Sequence, residues 1–141
     1  ESIPTQIQYT ALGHLHAFNN IGTAEKPVVY SSSPLCYSFS EAGQTKYLSM
    51  IEAEPNQPVS FQKIPLTKGK KLFRKTFDSV DQTVAWLSAH PGSLVEITLE
   101  SETFLKAEER KQIYNAHDGI VHLIPKVKNQ EFTENNLREI N

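Results

Sequence analysis

The feature that most constrains the fold of this chain is a change in hydrophobic period near its middle. Before Lys68-Gly69-Lys70, apolar side chains occur in short runs separated by turn-forming residues, which favours β-strands. After it, two segments of helical period each precede a strand-like run, and no helix is needed before about residue 78. This division predicts an α+β fold whose two halves are built differently.

The first half predicts an antiparallel meander. Turn-forming residues separate its candidate strands at Asn19-Asn20-Ile21-Gly22, Glu41-Ala42-Gly43 and Glu54-Pro55-Asn56. The candidate strands are residues 7–13, 28–31, 35–39, 47–53 and 59–66.

The second half predicts a small two-layer unit in the order β-α-β-α-β. Ser79 and Gln82 form a candidate capping box at the start of the first helix, which His90-Pro91-Gly92 ends. Alternation at Val95, Ile97 and Leu99 is typical of a strand with one wet face. The remaining candidates are a strand over 72–77, a helix over 105–116 and a strand over 120–124, before a polar tail.

Composition describes an ordinary globular chain. Of its 141 residues, 38% are apolar, and a net charge of −2 leaves any contact with DNA to a local patch. No apolar run is long enough to cross a membrane. A single cysteine, Cys36, fits a reducing compartment, so we expect a cytoplasmic protein. Because the chain opens at Glu1 without an initiator Met, we expect it to be a piece of a longer protein.

The best candidate for chemistry is Gly13-His14-Leu15-His16, at the end of the first strand. If the backbone stays extended, a period of two points both imidazoles to one face, with Gly13 allowing a sharp turn. Two neutral imidazoles suit Zn, Mn or Fe better than Mg or Ca. A His-x-His pair also occurs among ordinary surface histidines, and a closed metal site needs about four ligands, so this pair alone does not complete one.

Three segments resemble the SbcD nuclease subunits of the calcineurin-like metallophosphoesterase superfamily. They are Tyr9-Thr10-Ala11-Leu12-Gly13-His14-Leu15-His16, Val29-Tyr30-Ser31-Ser32-Ser33-Pro34 and Ser38-Phe39-Ser40-Glu41-Ala42. In that superfamily Gly-His-x-His is the last of several metal-site motifs, and the earlier Asp-x-His, Gly-Asp-x-x-Asp and Gly-Asn-His-Asp motifs do not occur in these 141 residues. Two positions depart from the family pattern, since Ser32 stands where a Gly is usual and Asn19 where a Gln is common.

The resemblance implies a domain organisation and a function. Residues 1–66 would be the C-terminal strands of a metallophosphoesterase sandwich, 67–128 a capping domain and 129–141 a tail or linker. His14 and His16 would be ligands of a pair of Mn ions in a DNA exonuclease and endonuclease of repair and recombination. Its partners would be DNA, an SbcC-type coiled-coil ATPase and a second copy of the parent protein. The isolated chain would be inactive and would bind Mn only weakly, because the other ligands are absent.

A basic run gives a second candidate surface, formed by Lys68, Lys70, Lys71, Arg74 and Lys75. It is interpreted equally well as a DNA-backbone contact beside the active site or as a solvated strand face. Two alternative functions therefore stay open. One is a non-catalytic DNA-docking or protein-interaction module that uses the basic run, and the other is a metallophosphoesterase of small substrates.

Overall fold

A computed structural model describes residues 3–128 of the chain. This part contains eight β-strands and two α-helices, which confirms the predicted α+β class. The chain divides between Leu72 and Phe73 into two compact units, six residues after the boundary expected at residue 66. The polar tail predicted over 129–141 lies outside the described residues.

The first unit contains two small sheets. In one, β1 (Thr10–Leu12) pairs in parallel with β3 (Val28–Tyr30), and β2 (Asn19–Asn20) pairs antiparallel with the other edge of β3. The central position of β3 agrees with the burial of Val28 and Val29. The second sheet is an antiparallel hairpin of β4 (Lys46–Glu52) and β5 (Ser60–Leu66), in which Lys46 lies opposite Leu66.

The antiparallel meander predicted for this unit is wrong at its first three strands. Asn19-Asn20, predicted to be a turn, forms β2, so the chain makes a crossover and β1 and β3 run in parallel. The side chain of Asn20 stabilises the return, since its Oδ1 accepts the N–H groups of Gly22 (3.0 Å) and Val28 (3.1 Å). The Asn20 side chain thus accepts two backbone N–H groups of this connection. In a simple hairpin, such groups would instead bond to the neighbouring strand.

The strand predicted over residues 35–39 is also wrong, because this segment bends into a 3₁₀ turn at Phe39–Glu41. Local hydrogen bonds replace a strand ladder here. The hydroxyl of Ser33 donates to the carbonyl of Leu35 (2.7 Å), and the N–H of Glu41 donates to the carbonyl of Ser38 (3.0 Å). The turn brings Glu41 close to Gly13-His14-Leu15-His16, which we call the histidine motif.

The second unit has the predicted order β-α-β-α-β. Its three strands form one sheet in the order β6-β7-β8, in which β7 and β8 are parallel and Val95 lies opposite Ile120. The elements are β6 (Leu72–Phe77), α1 (Val80–Ser88), β7 (Leu94–Ser101), α2 (Ala107–Asn115) and β8 (Ile120–Val127).

The core of the second unit lies between its sheet and its helices. Leu87 of α1 and Ile113 of α2 pack with the buried alternate residues of β7, each at most 2% exposed, which are Val95, Ile97 and Leu99. The buried and the more exposed positions of β7 alternate, as the apolar and polar residues do in the sequence. Each Å² of apolar surface that is buried contributes roughly 25 cal/mol, so these buried side chains stabilise the unit.

The predicted capping box of α1 is wrong, although the helix begins where expected. The side chain of Ser79 makes no capping hydrogen bond with the described residues, and its carbonyl instead accepts the hydroxyl of Thr83 (2.8 Å). At the start of α2, the carboxylate of Glu109 accepts the backbone N–H of the N-cap residue Lys106 (2.8 Å). Neither helix of the described part is long and apolar enough to span a bilayer.

Candidate metal site

The histidine motif follows β1 directly but is not extended, so the expected alternation of its imidazoles is wrong. The N–H of Leu15 donates to the carbonyl of Gly13 (3.0 Å), and His14 between them has a φ of 77°. A hydrogen bond over three residues with this φ at the centre is a γ-turn of the strained kind. The sharp turn expected at Gly13 lies at His14 instead, and both His14 and His16 are exposed.

A positive φ is unfavourable for a residue with a side chain, and such strain concentrates at functional sites. Hydrogen bonds on the far side of the turn hold it in place. The carbonyl of His16 accepts the N–H of Ser33 (3.2 Å) and the ammonium of Lys46 (2.8 Å). The strained turn at His14 is thus fixed between β1 and an anchored His16.

The imidazole of His16 is oriented by a buried carboxylate. Its Nδ1–H donates to Oε1 of Glu41 (2.5 Å), whose side chain is 9% exposed, whereas the side chain of His16 is 50% exposed. The ring of Tyr37 also meets the His16 ring edge-on, with 5.4 Å between centroids. A hydrogen bond at Nδ1 keeps the lone pair of the neutral ring on Nε2, the nitrogen that can then bind a metal.

Glu41 is in turn held by two further donors. Its Oε2 accepts the ammonium of Lys46 (2.9 Å) and the N–H of Tyr37 (3.1 Å). Hydrogen bonds from His16 first, and then from Lys46, lower the pKa of Glu41 from 4.5 to about 2. The carboxyl group is therefore ionised throughout the neutral range, and an ionised carboxylate only accepts hydrogen bonds.

Lys46 is 6% exposed, and its ammonium group has three donors, all of which are used. It donates to the carbonyl of His16 (2.8 Å), to Oε2 of Glu41 (2.9 Å) and to Oε1 of Gln44 (3.1 Å). A buried lysine needs both a counter-charge and hydrogen-bond partners, and this cluster provides both.

Ser32, which stands where the resemblance leads us to expect a Gly, has a φ of 82°. The position therefore requires the left-handed conformation that favours Gly. The Ser32 hydroxyl accepts the N–H of Tyr47 (2.9 Å), so it joins the loop after β3 to β4. This departure from the family pattern keeps the tight loop and adds a hydrogen bond to it.

The arrangement at His16 fits a transition-metal ligand. Histidines that bind metals usually donate their other ring N–H to a carboxylate or carbonyl, as His16 does to Glu41. Within residues 3–128 no group of three or more His, Cys, Asp or Glu residues is placed to hold an ion. The described residues thus present imidazole donors but do not complete a metal site.

The basic run does not form a single face on β6. Arg74 pairs with Glu96 through Nε (2.5 Å), while Lys75 lies 5.7 Å from the centroid of the Trp86 ring. Because side chains alternate along a strand, these two cations point to opposite sides of the sheet. The other three members of the run, Lys68, Lys70 and Lys71, are exposed and belong to the first unit.

Two residues of the site were not predicted to take part in it. Glu41 belongs to a predicted turn and to a segment that resembles SbcD, and Lys46 had no predicted role. Glu41 is 25 positions from His16 in the sequence, so no local period connects them. The available signal was weak, namely a lysine directly before the mainly apolar segment 47–51 of β4.

Comparison with characterised proteins supports the resemblance, although no family model matches the chain. The SbcD subunit of nuclease SbcCD from Bacillus subtilis (strain 168) is 33% identical over 133 residues, which are 92% of this chain and 34% of that protein. The SbcD subunit of nuclease SbcCD from Escherichia coli (strain K12) is 29% identical over 108 residues, which are 73% of this chain and 27% of that protein. The chain spans between 27% and 34% of the length of these relatives.

The two-unit α+β chain with its carboxylate-held histidine motif is therefore a relative of nuclease subunits. More particularly, it is homologous to SbcD over nearly its whole length, which confirms the resemblance seen in the sequence. The match also supports the prediction that the chain corresponds to the C-terminal part of an SbcD protein.

Proposed function

We propose that this chain is the C-terminal part of a metal-dependent DNA nuclease subunit of the SbcD type, active as an exonuclease and endonuclease in repair and recombination. The observation that carries this proposal is His16 of the Gly-His-x-His motif, which donates to a buried carboxylate in the manner of a metal ligand. Homology to SbcD over 92% of the chain supports it.

In this proposal His14 and His16 provide imidazole nitrogens to a site for two Mn ions. Such a metal pair supplies an activated water and neutralises charge on the scissile phosphate. The chain's own residues present and orient the donors. His14 lies in a strained turn next to β1, and His16 is held at both its carbonyl and its ring.

The remaining ligands are assigned to the part of the SbcD proteins that this chain does not match. Because two imidazoles without carboxylate ligands bind metal weakly, we expect the 141-residue chain to be inactive by itself and not to retain Mn. The first unit then corresponds to the last strands of the phosphoesterase sandwich and the second to a capping domain that helps to position DNA. An SbcC-type ATPase and a second copy of the parent, in the cytoplasm, complete the proposed assembly.

The test uses the full-length protein with the single changes His14→Ala and His16→Ala. Each should lower Mn-dependent cleavage of linear duplex DNA by at least about 100-fold, because ligand loss removes the metal-bound nucleophile. The matched control is His122→Ala, which removes an exposed histidine of β8 and should leave cleavage unchanged. Circular dichroism checks that the fold persists. Full Mn-dependent activity in either ligand variant would contradict the proposal.

A non-catalytic DNA-docking function is the second candidate, and the exposure of Lys68, Lys70 and Lys71 favours it. Phosphate contacts by lysines release counterions, so binding should weaken steeply with salt. Replacing the three lysines by Gln should then abolish DNA binding by the 141-residue chain and reduce the salt slope. Binding that is absent or unaffected by these changes would remove this candidate.

A further inference from the structure

We propose that Glu41, together with Lys46, is the positioning pair that selects the tautomer of His16 and fixes the direction of its Nε2. This inference rests on the proposed function, because it takes His16 to be a ligand. Beyond that function, it assigns to Glu41 and Lys46 the role of orienting the His16 ring. Neither Glu41 nor Lys46 is placed in contact with the metal or the DNA.

The hydrogen bond between Glu41 and His16 selects the tautomer of the ring. A carboxylate has no proton to donate, so its 2.5 Å contact with Nδ1 requires a proton on that nitrogen. In the neutral ring the lone pair then lies on Nε2. The opposite tautomer would place two lone pairs against each other at the same distance, which is strongly unfavourable.

The same pair of residues also fixes the orientation of the His16 ring. His16 is held at its backbone, where the carbonyl accepts Lys46, and at its ring, where Nδ1 donates to Glu41. Both partners are bound to each other through Oε2 of the carboxylate (2.9 Å). The ring and the backbone of one residue are thus fixed by the same ion pair, and the Tyr37 ring restricts rotation from the side.

The Glu41–Lys46 pair is buried, although a surface carboxylate could also accept a hydrogen bond from His16. Exposed ion pairs are weak and their side chains change rotamer easily. Lys46 and Glu41 are 6% and 7% exposed, and the ammonium group has three partners in a fixed arrangement. Burial therefore converts an adaptable contact into one with a single geometry.

The direct test is the tautomer of His16 in the 141-residue chain labelled with ¹⁵N-histidine. At about pH 8.5, long-range ¹H–¹⁵N spectra should show Nδ1 protonated and Nε2 unprotonated. Glu41→Gln should give a mixture of tautomers, because an amide can either accept from Nδ1 or donate to it. The matched control is Glu52→Gln, an exposed carboxylate at the end of β4, and it should leave the spectrum unchanged.

A second variant keeps the test valid if Glu41→Gln leaves Lys46 without a counter-charge and the first unit unfolds. The double change Glu41→Gln/Lys46→Met removes both charges while keeping similar shapes, and it should show the same mixture of tautomers. A wild-type ring protonated at Nε2 would overturn the inference. So would a folded variant of either kind that keeps Nδ1 fully protonated.

Mn²⁺ titration of the full-length protein, followed by the electron paramagnetic resonance signal of unbound Mn²⁺, separates this inference from the proposed function. Loss of a residue that orients a metal ligand typically weakens metal binding about 10–100-fold, so Glu41→Gln should raise the dissociation constant by roughly this factor. If Glu41→Gln changes the tautomer while His16→Ala leaves Mn²⁺ binding intact, the proposed function fails and the tautomer selection stands. If His16→Ala abolishes binding and Glu41→Gln has no effect on it, the positioning role fails.

Discussion

The two units of this protein are stabilised in different ways. In the second, Leu87, Ile97 and Ile113 are fully buried in a continuous apolar core between a sheet and two helices. In the first, the region around the histidine motif is held by a buried ion pair between Glu41 and Lys46 and by hydrogen bonds to backbone carbonyls. Apolar packing is tolerant of small shifts, whereas a buried charge pair permits few geometries. The unit that carries the candidate ligands is therefore held by a buried ion pair, the interaction that permits fewer geometries.

The largest effect is expected where the apolar core is broken. Leu87→Ala should lower the free energy of unfolding of the second unit by about 2–5 kcal/mol, because it removes a completely buried side chain and leaves a cavity. Denaturant unfolding followed by the fluorescence of Trp86, the single tryptophan of the chain, reports on this unit.

The control for the core variant is Gln82→Ala, an exposed change on the same helix that should stay within about 0.5 kcal/mol of wild type. The ¹⁵N spectrum of His16 should be unaffected by either change under native conditions. An altered His16 tautomer in Leu87→Ala would show that the two units are not stabilised separately.

The next effect concerns the ion pair of the first unit. Lys46→Met should destabilise this unit strongly, because a buried carboxylate loses its counter-charge. The double change Lys46→Met/Glu41→Gln should be more stable than Lys46→Met alone, since no uncompensated charge then remains. Amide hydrogen exchange in β4 and β5 measures the difference. Additive effects of the two single changes would contradict a coupled pair.

The pH dependence of the first unit follows from the lowered pKa of Glu41. Since folding lowers this pKa from 4.5 to about 2, the ionised carboxylate stabilises the unit above pH 4.5, and this contribution is lost as the pH falls towards 2. The ¹³C chemical shift of the Glu41 side-chain carboxyl group should give a titration midpoint near pH 2. This midpoint should rise in Lys46→Met. A midpoint near 4.5 in the wild type would contradict the network.

The smallest effect is expected at the surface pair of the second unit. Arg74 is about half exposed and binds Glu96, so Arg74→Ala should change stability by less than about 1 kcal/mol. Trp86 fluorescence during denaturation again gives the measurement. A loss comparable to that of Leu87→Ala would show that polar contacts are as important in this unit as in the first.

The second unit was more accessible to prediction than the first because its signals are local. Alternation along Val95, Ile97 and Leu99 gave β7, and the helical stripe beginning after Ser79 gave α1. The Gly-His-x-His motif located the candidate ligands, whose role stays a prediction, and the resemblance of the chain to SbcD was confirmed.

What the sequence did not predict depends on contacts between distant residues. The γ-turn at His14 replaces an extended segment, and its anchor is a hydrogen bond from Lys46, 30 residues away from His16. The parallel pairing of β1 with β3 depends on the crossover through Asn19 and Asn20, whose composition is that of a turn. No period or local motif encodes these pairings.

The most direct test of the central claim is the location of manganese in crystals of the full-length protein. Anomalous diffraction above and below the manganese absorption edge identifies the ions independently of activity. We predict density at the histidine motif, with Nε2 of His16 coordinated and Nδ1 of His16 still bound to Glu41. Bound manganese that contacts neither His14 nor His16 would contradict the account.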